Sequence, residues 1–366
     1  MPYTTHTYQS SINCVSPYPL FTLSDTSTTL YLSTPNALPI RLTNALSPSP
    51  IPISTYPLIS PTTEAYYTPS SLLWSSPAHF LAGTDCLVAL FDVSRNGNGP
   101  ISRMPTIPSK RHKMKGGGVG MRGIVSALSM QPSLENADAG MLAAGTWTRW
   151  IGLYDMAGMG GTVATWSIAE AADIHAGVGG SGITQTLWSA CGRYLFVVER
   201  KSRGVLIFDV RVTGKLVAWL EGREADTNQR LGVDVFGAQA GSEIWAGGTD
   251  GIVKVWEGAG MTEGALQRSW EWKAHDGKSN FEIIKWNMLT KEADPVTSVA
   301  VHDSGSVAAT CSGERSYPAS RQLSFDTKDR KSIESDSDHS SDDEHELPTS
   351  PSISQTPDNN IKVWSL

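Results

Sequence analysis

One phrase recurs along this chain and restricts its fold more than any other feature. A short apolar strand meets a small-residue turn, and a second strand follows that ends in an aromatic residue and an acid. It reads Phe80-Leu-Ala-Gly-Thr-Asp85 with Leu90-Phe-Asp92, then Leu142-Ala-Ala-Gly-Thr146 with Leu153-Tyr-Asp155. It returns as Tyr194-Leu-Phe-Val-Val198 with Ile207-Phe-Asp209, and as Ile244-Trp-Ala-Gly-Gly-Thr-Asp-Gly251 with Val255-Trp-Glu257. A fifth copy is split: Val307-Ala-Ala-Thr-Cys-Ser-Gly313 is followed, after a long interruption, by Asn360-Ile-Lys-Val-Trp364. A weaker sixth runs from Thr29 through Pro39-Ile-Arg-Leu42. Another strand precedes four of the copies, at 123–129, 182–189, 231–235 and 296–302, and it alternates apolar with small or polar residues as a sheet face requires.

A unit of three or four strands cannot bury both of its faces alone. Stacked neighbours bury them, and closing the stack into a ring protects the sheet edges. Three or four strands closing in Trp, Phe or Tyr before an acid is the WD-repeat pattern. The expected fold is therefore all-β: a WD-repeat β-propeller with six recognisable blades. The aromatic-acid endings at Asp92, Asp155, Asp209 and Glu257 stand farther apart than the usual repeat of roughly 40–45 residues. Insertions at 94–120, 258–292 and 314–358 account for the excess. The last is rich in Ser, Asp and Glu and is expected to be disordered. The domain reading is blades over 1–313, the acidic insert over 314–358, and a closing strand over 359–366.

The formal net charge of −7 comes mainly from that insert, which carries 11 acidic and 5 basic residues. The body is near neutral, so no global basic field marks a nucleic-acid binder, although local basic patches remain. Cys14, Cys86, Cys191 and Cys311 are far apart, without metal-binding spacing, and read as free thiols. No apolar run approaches the roughly 18 residues of a membrane span, and the start lacks the order of a secretory signal. No zinc-protease motif and no phosphate-binding P-loop occurs. Gly116-Gly-Gly-Val-Gly120 follows a basic tract rather than a strand and reads as a linker. No catalytic set, cofactor, metal or small-molecule substrate is implied. Asp250, in Thr-Asp-Gly, reads as a turn former.

The stretch from about Val178 to Trp256 resembles the telomerase Cajal body protein family, including its fungal, spliceosome-associated branch. The carrying residues are Gly182-Ile-Thr184, Cys191-Gly-Arg-Tyr-Leu-Phe196, Arg200-Lys201, Phe208-Asp-Val-Arg211 and Gly247 to Trp256. The most specific element is Gly222-Arg-Glu-Ala-Asp-Thr-Asn-Gln-Arg230, where an ordinary WD repeat carries Gly-His. The interrupted last repeat, Thr310-Cys-Ser-Gly-Glu-Arg315, is similar too. The resemblance implies seven blades, one more than the six recognised, with a further N-terminal blade expected ahead of Leu42. It also implies a scaffold, not an enzyme, for small nuclear or Cajal body-type RNA and its proteins. Partners would be splicing or telomerase ribonucleoprotein components, with no membrane. Localisation would be nuclear, alone or alongside a cytoplasmic pool. The other reading is a pure protein–protein adaptor of a splicing or ubiquitin-ligase complex.

Binding candidates follow from the chemistry of the side chains. Gly222–Arg230 lies between an outermost strand and the next innermost one, which places it on one face of a propeller. Arg223 and Arg230 offer planar forks for phosphates or carboxylates. Thr227, Asn228 and Gln229 offer donors and acceptors for base edges or peptide backbone. The same residues could instead bond one another and anchor the loop. Arg200, Lys201 and Arg203 form a basic turn, either a solvated hairpin or a phosphate contact that would make binding salt-dependent. Lys110, Arg111, Lys113 and Lys115 resemble a nuclear import tract. Ser335, Ser340 and Ser341 each precede an acid by three residues and suit acidophilic kinases.

Overall fold

The computed structural model describes residues 4–109, 120–132, 140–156, 161–238, 241–276, 294–313 and 360–366. They form six sheets, one per repeat, in chain order, antiparallel apart from one parallel edge pairing. Blade 1 holds β1 (Ile12–Pro17), β2 (Leu30–Pro35), β3 (Ile40–Asn44) and β4 (Ser54–Tyr56). Blade 2 holds β5 (Ser71–Ser76), β6 (His79–Thr84), β7 (Leu87–Asp92) and β8 (Ser102–Pro105). Blade 3 holds β9 (Val125–Met130), β10 (Met141–Thr146), β11 (Trp150–Asp155) and β12 (Gly161–Ser167). Blade 4 holds β13 (Ile183–Trp188), β14 (Tyr194–Glu199), β15 (Val205–Asp209) and β16 (Lys215–Leu220). Blade 5 holds β17 (Val233–Ala238), β18 (Gly241–Gly247) and β19 (Ile252–Ala259). Next come β20 (Gly264–Leu266), which pairs parallel with β16 of blade 4, and β21 (Trp270–Lys273), the fourth strand of blade 5. Blade 6 holds β22 (Val296–Val301), β23 (Val307–Ser312) and β24 (Asn360–Ser365).

Two of the expected insertions are thus partly blade. β8 lies in 94–120 and β20 and β21 lie in 258–292, because fourth strands carry no repeat signature of their own. The acidic insert falls outside the described residues.

The first strand of each blade is innermost, and successive first strands touch around the axis. The small residue near the end of the second strand makes this possible. A Cβ added at Gly83, Gly145 or Gly247 would meet Val125, Ile183 or Val296 of the next blade at 2.5–2.8 Å, which is closer than packed carbons approach. Short polar side chains then tie one inner strand to the next. Ser71 Oγ donates to the Val125 carbonyl at 2.9 Å and Ser126 Oγ to the Ile183 carbonyl. Gln185 brackets the Val233 backbone through both amide atoms.

Between blades lie apolar clusters. Alternation sends one set of third-strand residues toward the following blade and the closing aromatic toward the preceding one. Phe91 packs with Ile40 and Leu42, Tyr154 with Val88, Phe208 with Ile151 and Leu153, and Trp256 with Val205 and Ile207. Trp364 joins Val253 and Val255 in the same way. Among the described residues these five clusters join blades 1–2, 2–3, 3–4, 4–5 and 5–6, and none joins 6 to 1.

Candidate functional site

Around the axis, on the face carrying the 4–5 connection, is a cavity of about 610 Å³. Five blades and one connection reach it: Asn13, Ser70, Trp147, Arg200, the run Asn228–Arg230, and Thr297 with Gly313. Each side chain arrives there for a local reason.

Trp147 lies in the β10–β11 hairpin and Arg200 in the β14–β15 hairpin. Arg149 and Lys201 take left-handed backbone, with φ of 65° and 52°, to make these turns tight. The Arg200 guanidinium lies over the Trp147 indole, 4.5 Å from the ring centroid, a cation–π distance. Its Nε is buried without a partner in the protein, and burial pulls the guanidinium pKa below the usual arginine value.

Behind this pair is a brace. Arg149 donates from Nε to Glu199 Oε1 at 2.8 Å and from a terminal nitrogen to Asp173 Oδ2 at 2.7 Å. Asp173 sits on a π-helical turn, Ala171–His175. Glu199 is buried and also accepts the Gly182 N–H at 3.2 Å. Burial opposes the Arg149 charge, but the bonds to Asp173 and Glu199 outweigh it and hold its pKa above the ordinary value. Since Arg149 shares a hairpin with Trp147, and Glu199 precedes Arg200, the brace sets one ring against the other.

The Gly222–Arg230 connection supplies the other wall. Gln229 donates to the Gly313 carbonyl of blade 6 at 2.8 Å, and Arg230 to the Ser70 carbonyl at the start of blade 2 at 3.1 Å. Asn228 is exposed on the cavity wall. Thr227 receives the Lys201 N–H on its carbonyl and does not line the cavity. Lys201 and Arg203 are exposed and also stand outside the lining.

Arg223 corrects a sequence expectation. Its side chain is 1% exposed, donating to the carbonyls of Gly247 at 3.3 Å and Leu231 at 3.0 Å. Burial pushes its guanidinium down to about 10. It holds the loop from inside and presents nothing to a ligand. Of the eight predicted binding residues, four reach the cavity: Arg200, Asn228, Gln229 and Arg230. Lys110, Arg111, Lys113, Lys115, Ser335, Ser340 and Ser341 lie outside the described residues.

Sequence reasoning missed Trp147 and Arg149. The signal was Thr146-Trp-Thr-Arg-Trp150, which puts an aromatic and a cation in a turn where small residues are the rule. Asp250 is a turn former, accepting the Ile252 N–H, and it also pairs with Lys254. The four cysteines are free. Among the described residues no His, Cys, Asp and Glu group has metal-binding geometry. No helix there is long and apolar enough to cross a membrane.

No family model matches the chain. It is 32% identical over 143 residues to Guanine nucleotide-binding protein negative regulator 1 of Schizosaccharomyces pombe, covering 39% of this chain and 32% of that protein. It is 29% identical over 199 residues to Telomerase Cajal body protein 1 of Mus musculus, covering 54% of this chain and 31% of that one. The Homo sapiens protein of that name matches at 28% over the same length, covering 54% and 30%. These matches span about a third of each relative's length. Among solved structures, that of U3-55K superposes with a TM-score of 0.53 at 12% identity, covering 84% of this chain and 76% of that one; the likeness is one of fold. The repeats and the propeller are those of a WD-repeat protein, and over about half of its length the chain is similar to Telomerase Cajal body protein 1.

Proposed function

We propose that this protein is a non-enzymatic scaffold that binds small nuclear RNA–protein particles and assists their assembly or nuclear localisation. The observation that carries the reading is the Trp147–Arg200 pair at the axial cavity, with Arg230 and Asn228 lining the same cavity. RNA-binding sites stack unpaired bases on aromatic rings or guanidinium planes and read their edges with amides. The relatives' name places them with telomerase and Cajal bodies, and in a fungal setting the same surface serves pre-mRNA splicing particles. Lys110, Arg111, Lys113 and Lys115 carry nuclear entry in this reading. Phosphates on Ser335, Ser340 and Ser341 add negative charge that weakens RNA contact.

Ultraviolet crosslinking in cells, followed by RNA sequencing, tests it. Enrichment of small nuclear RNAs that falls at least tenfold in Trp147→Ala supports the proposal. Absence of enriched RNA, with co-purified proteins that resist nuclease, replaces it with a protein–protein adaptor. For the import tract, alanine at the four cations is expected to exclude the protein from nuclei, and an unchanged nuclear signal rejects that role.

A further inference from the structure

Two arginines occupy the turns of blades 3 and 4, and only one of them is neutralised. Arg149 bonds the carboxylates of Asp173 and Glu199. Arg200 lies over the Trp147 ring and, among the described residues, its guanidinium bonds no carboxylate and no carbonyl. Stacking fixes where the guanidinium lies and leaves its terminal nitrogens with donors to give.

The cavity beside it is short of negative charge. Its described lining holds two cations, Arg200 and Arg230, and no Asp or Glu. The other polar walls are amides and hydroxyls, from Asn13, Ser70, Asn228 and Thr297. Arg230 spends one nitrogen on the Ser70 carbonyl and adds a second positive charge to the same space. A partly desolvated cation without a counter-charge is costly, and an entering anion offsets that cost.

Three features set the size of what carries the anion. The volume of about 610 Å³ falls within the roughly 300–1,000 Å³ of small-ligand sites. One aromatic ring lines it, Trp147, which has Arg200 over it and is still 40% exposed, a platform for a single base. The opening is also crossed, because Gln229 and Arg230 tie the 4–5 connection to blade 6 and to the start of blade 2. A strand drawn through the ring would break both bonds, whereas a strand end can enter beside them.

Given the RNA reading above, we infer that the axial cavity seats one nucleotide bearing a phosphate monoester, the terminal nucleotide of an RNA strand. Its phosphate takes the spare donors of Arg200, and its base lies against Trp147. A planar fork grips such a group through two parallel bonds. A monoester carries about two charges at neutral pH and an internal phosphodiester about one, so two cations favour the end of a strand over its middle.

The test titrates the full chain with a short single-stranded RNA bearing a phosphate at its 5′ end, at its 3′ end or at neither. Uridine monophosphate and inorganic phosphate serve as competitors, and fluorescence anisotropy of the RNA is read. One phosphorylated RNA is expected to bind at least tenfold more tightly than the RNA with hydroxyl ends. Arg200→Gln removes that preference, and Arg200→Lys, which keeps the charge without the fork, recovers only part of it. Uridine monophosphate displaces the RNA at least tenfold better than inorganic phosphate does, and Trp147→Ala abolishes that advantage. The unfolding midpoint verifies that each variant folds. Equal binding of the three RNAs, or a preference that survives Arg200→Gln, overturns the proposal and leaves the RNA reading standing. If inorganic phosphate competes as well as uridine monophosphate, the site takes a free anion and the proposal is wrong. If neither RNA nor nucleotide binds, the proposal falls, and crosslinking in cells decides the RNA reading separately.

Discussion

The two halves of the connection Glu221–Arg230 have the same kinds of residues and opposite fates. The first half is fastened from below. Trp256 Nε1 donates to the Glu221 carbonyl at 3.1 Å, Lys254 Nζ to the Gly222 carbonyl at 2.8 Å, and Thr249 N–H to the Glu224 carbonyl at 2.6 Å. Arg223 then runs inward to the Gly247 and Leu231 carbonyls. The second half bridges the axis through Gln229 and Arg230 to blades 6 and 2. One arginine is a post and the other is rim. Arg223 is held where two carbonyls meet its fork, because an unpaired buried charge costs several kcal/mol.

The sharpest way to break this contrast is Arg223→Ala. It leaves two buried carbonyls without donors and empties a large volume, so stability is expected to fall by about 3 kcal/mol or more, read from the denaturant midpoint. Arg223→Lys should recover little, since one ammonium cannot replace a planar fork. Lys254→Ala, which frees the Gly222 carbonyl and leaves Asp250 without its cation, should cost about 1–3 kcal/mol in the same measurement. If either change leaves stability alone and lowers RNA capture instead, the division between post and rim is wrong.

The rim should behave conversely. Trp147→Ala is expected to lower RNA affinity by about tenfold or more, the scale of one lost stacking contact, while the unfolding midpoint moves little. Arg230→Ala should weaken binding by less and flatten its salt dependence, because one cation fewer meets phosphate. Filter binding across a salt series reads both. The smallest effect concerns the brace. The Arg149 bond holds the Asp173 carboxyl below its usual pKa. Its contribution is therefore present above the unfolded value near 3.8 and is lost as pH falls through the folded one. Asp173 is half exposed, so Asp173→Asn should cost less than about 1 kcal/mol at neutral pH, and the difference should vanish in acid.

Much of the architecture was legible in the chain. Glycine at 83, 145 and 247, the alternation in the third strands and the closing aromatics are local patterns, and each has one consequence in a stacked sheet. They identified the blades and their order. Fourth strands such as Met104 and Trp272 were read as insertions, because a strand at a blade's outer edge needs no fixed spacing. The candidate site was half legible. Arg200 and Asn228–Arg230 stood out as polar loop residues, and three of these four fall in the charged element Gly222–Arg230.

The rest depended on distance in space. Arg223 and Arg230 are seven places apart, and nothing in their neighbours says which turns inward; the Gly247 and Leu231 carbonyls decide it. Trp147 and Arg200 belong to different blades and meet only because Arg149 and Glu199 pair between two hairpins. Pattern along the chain says which side chains are polar, and only the assembled ring says which carbonyls and carboxylates arrive to hold them.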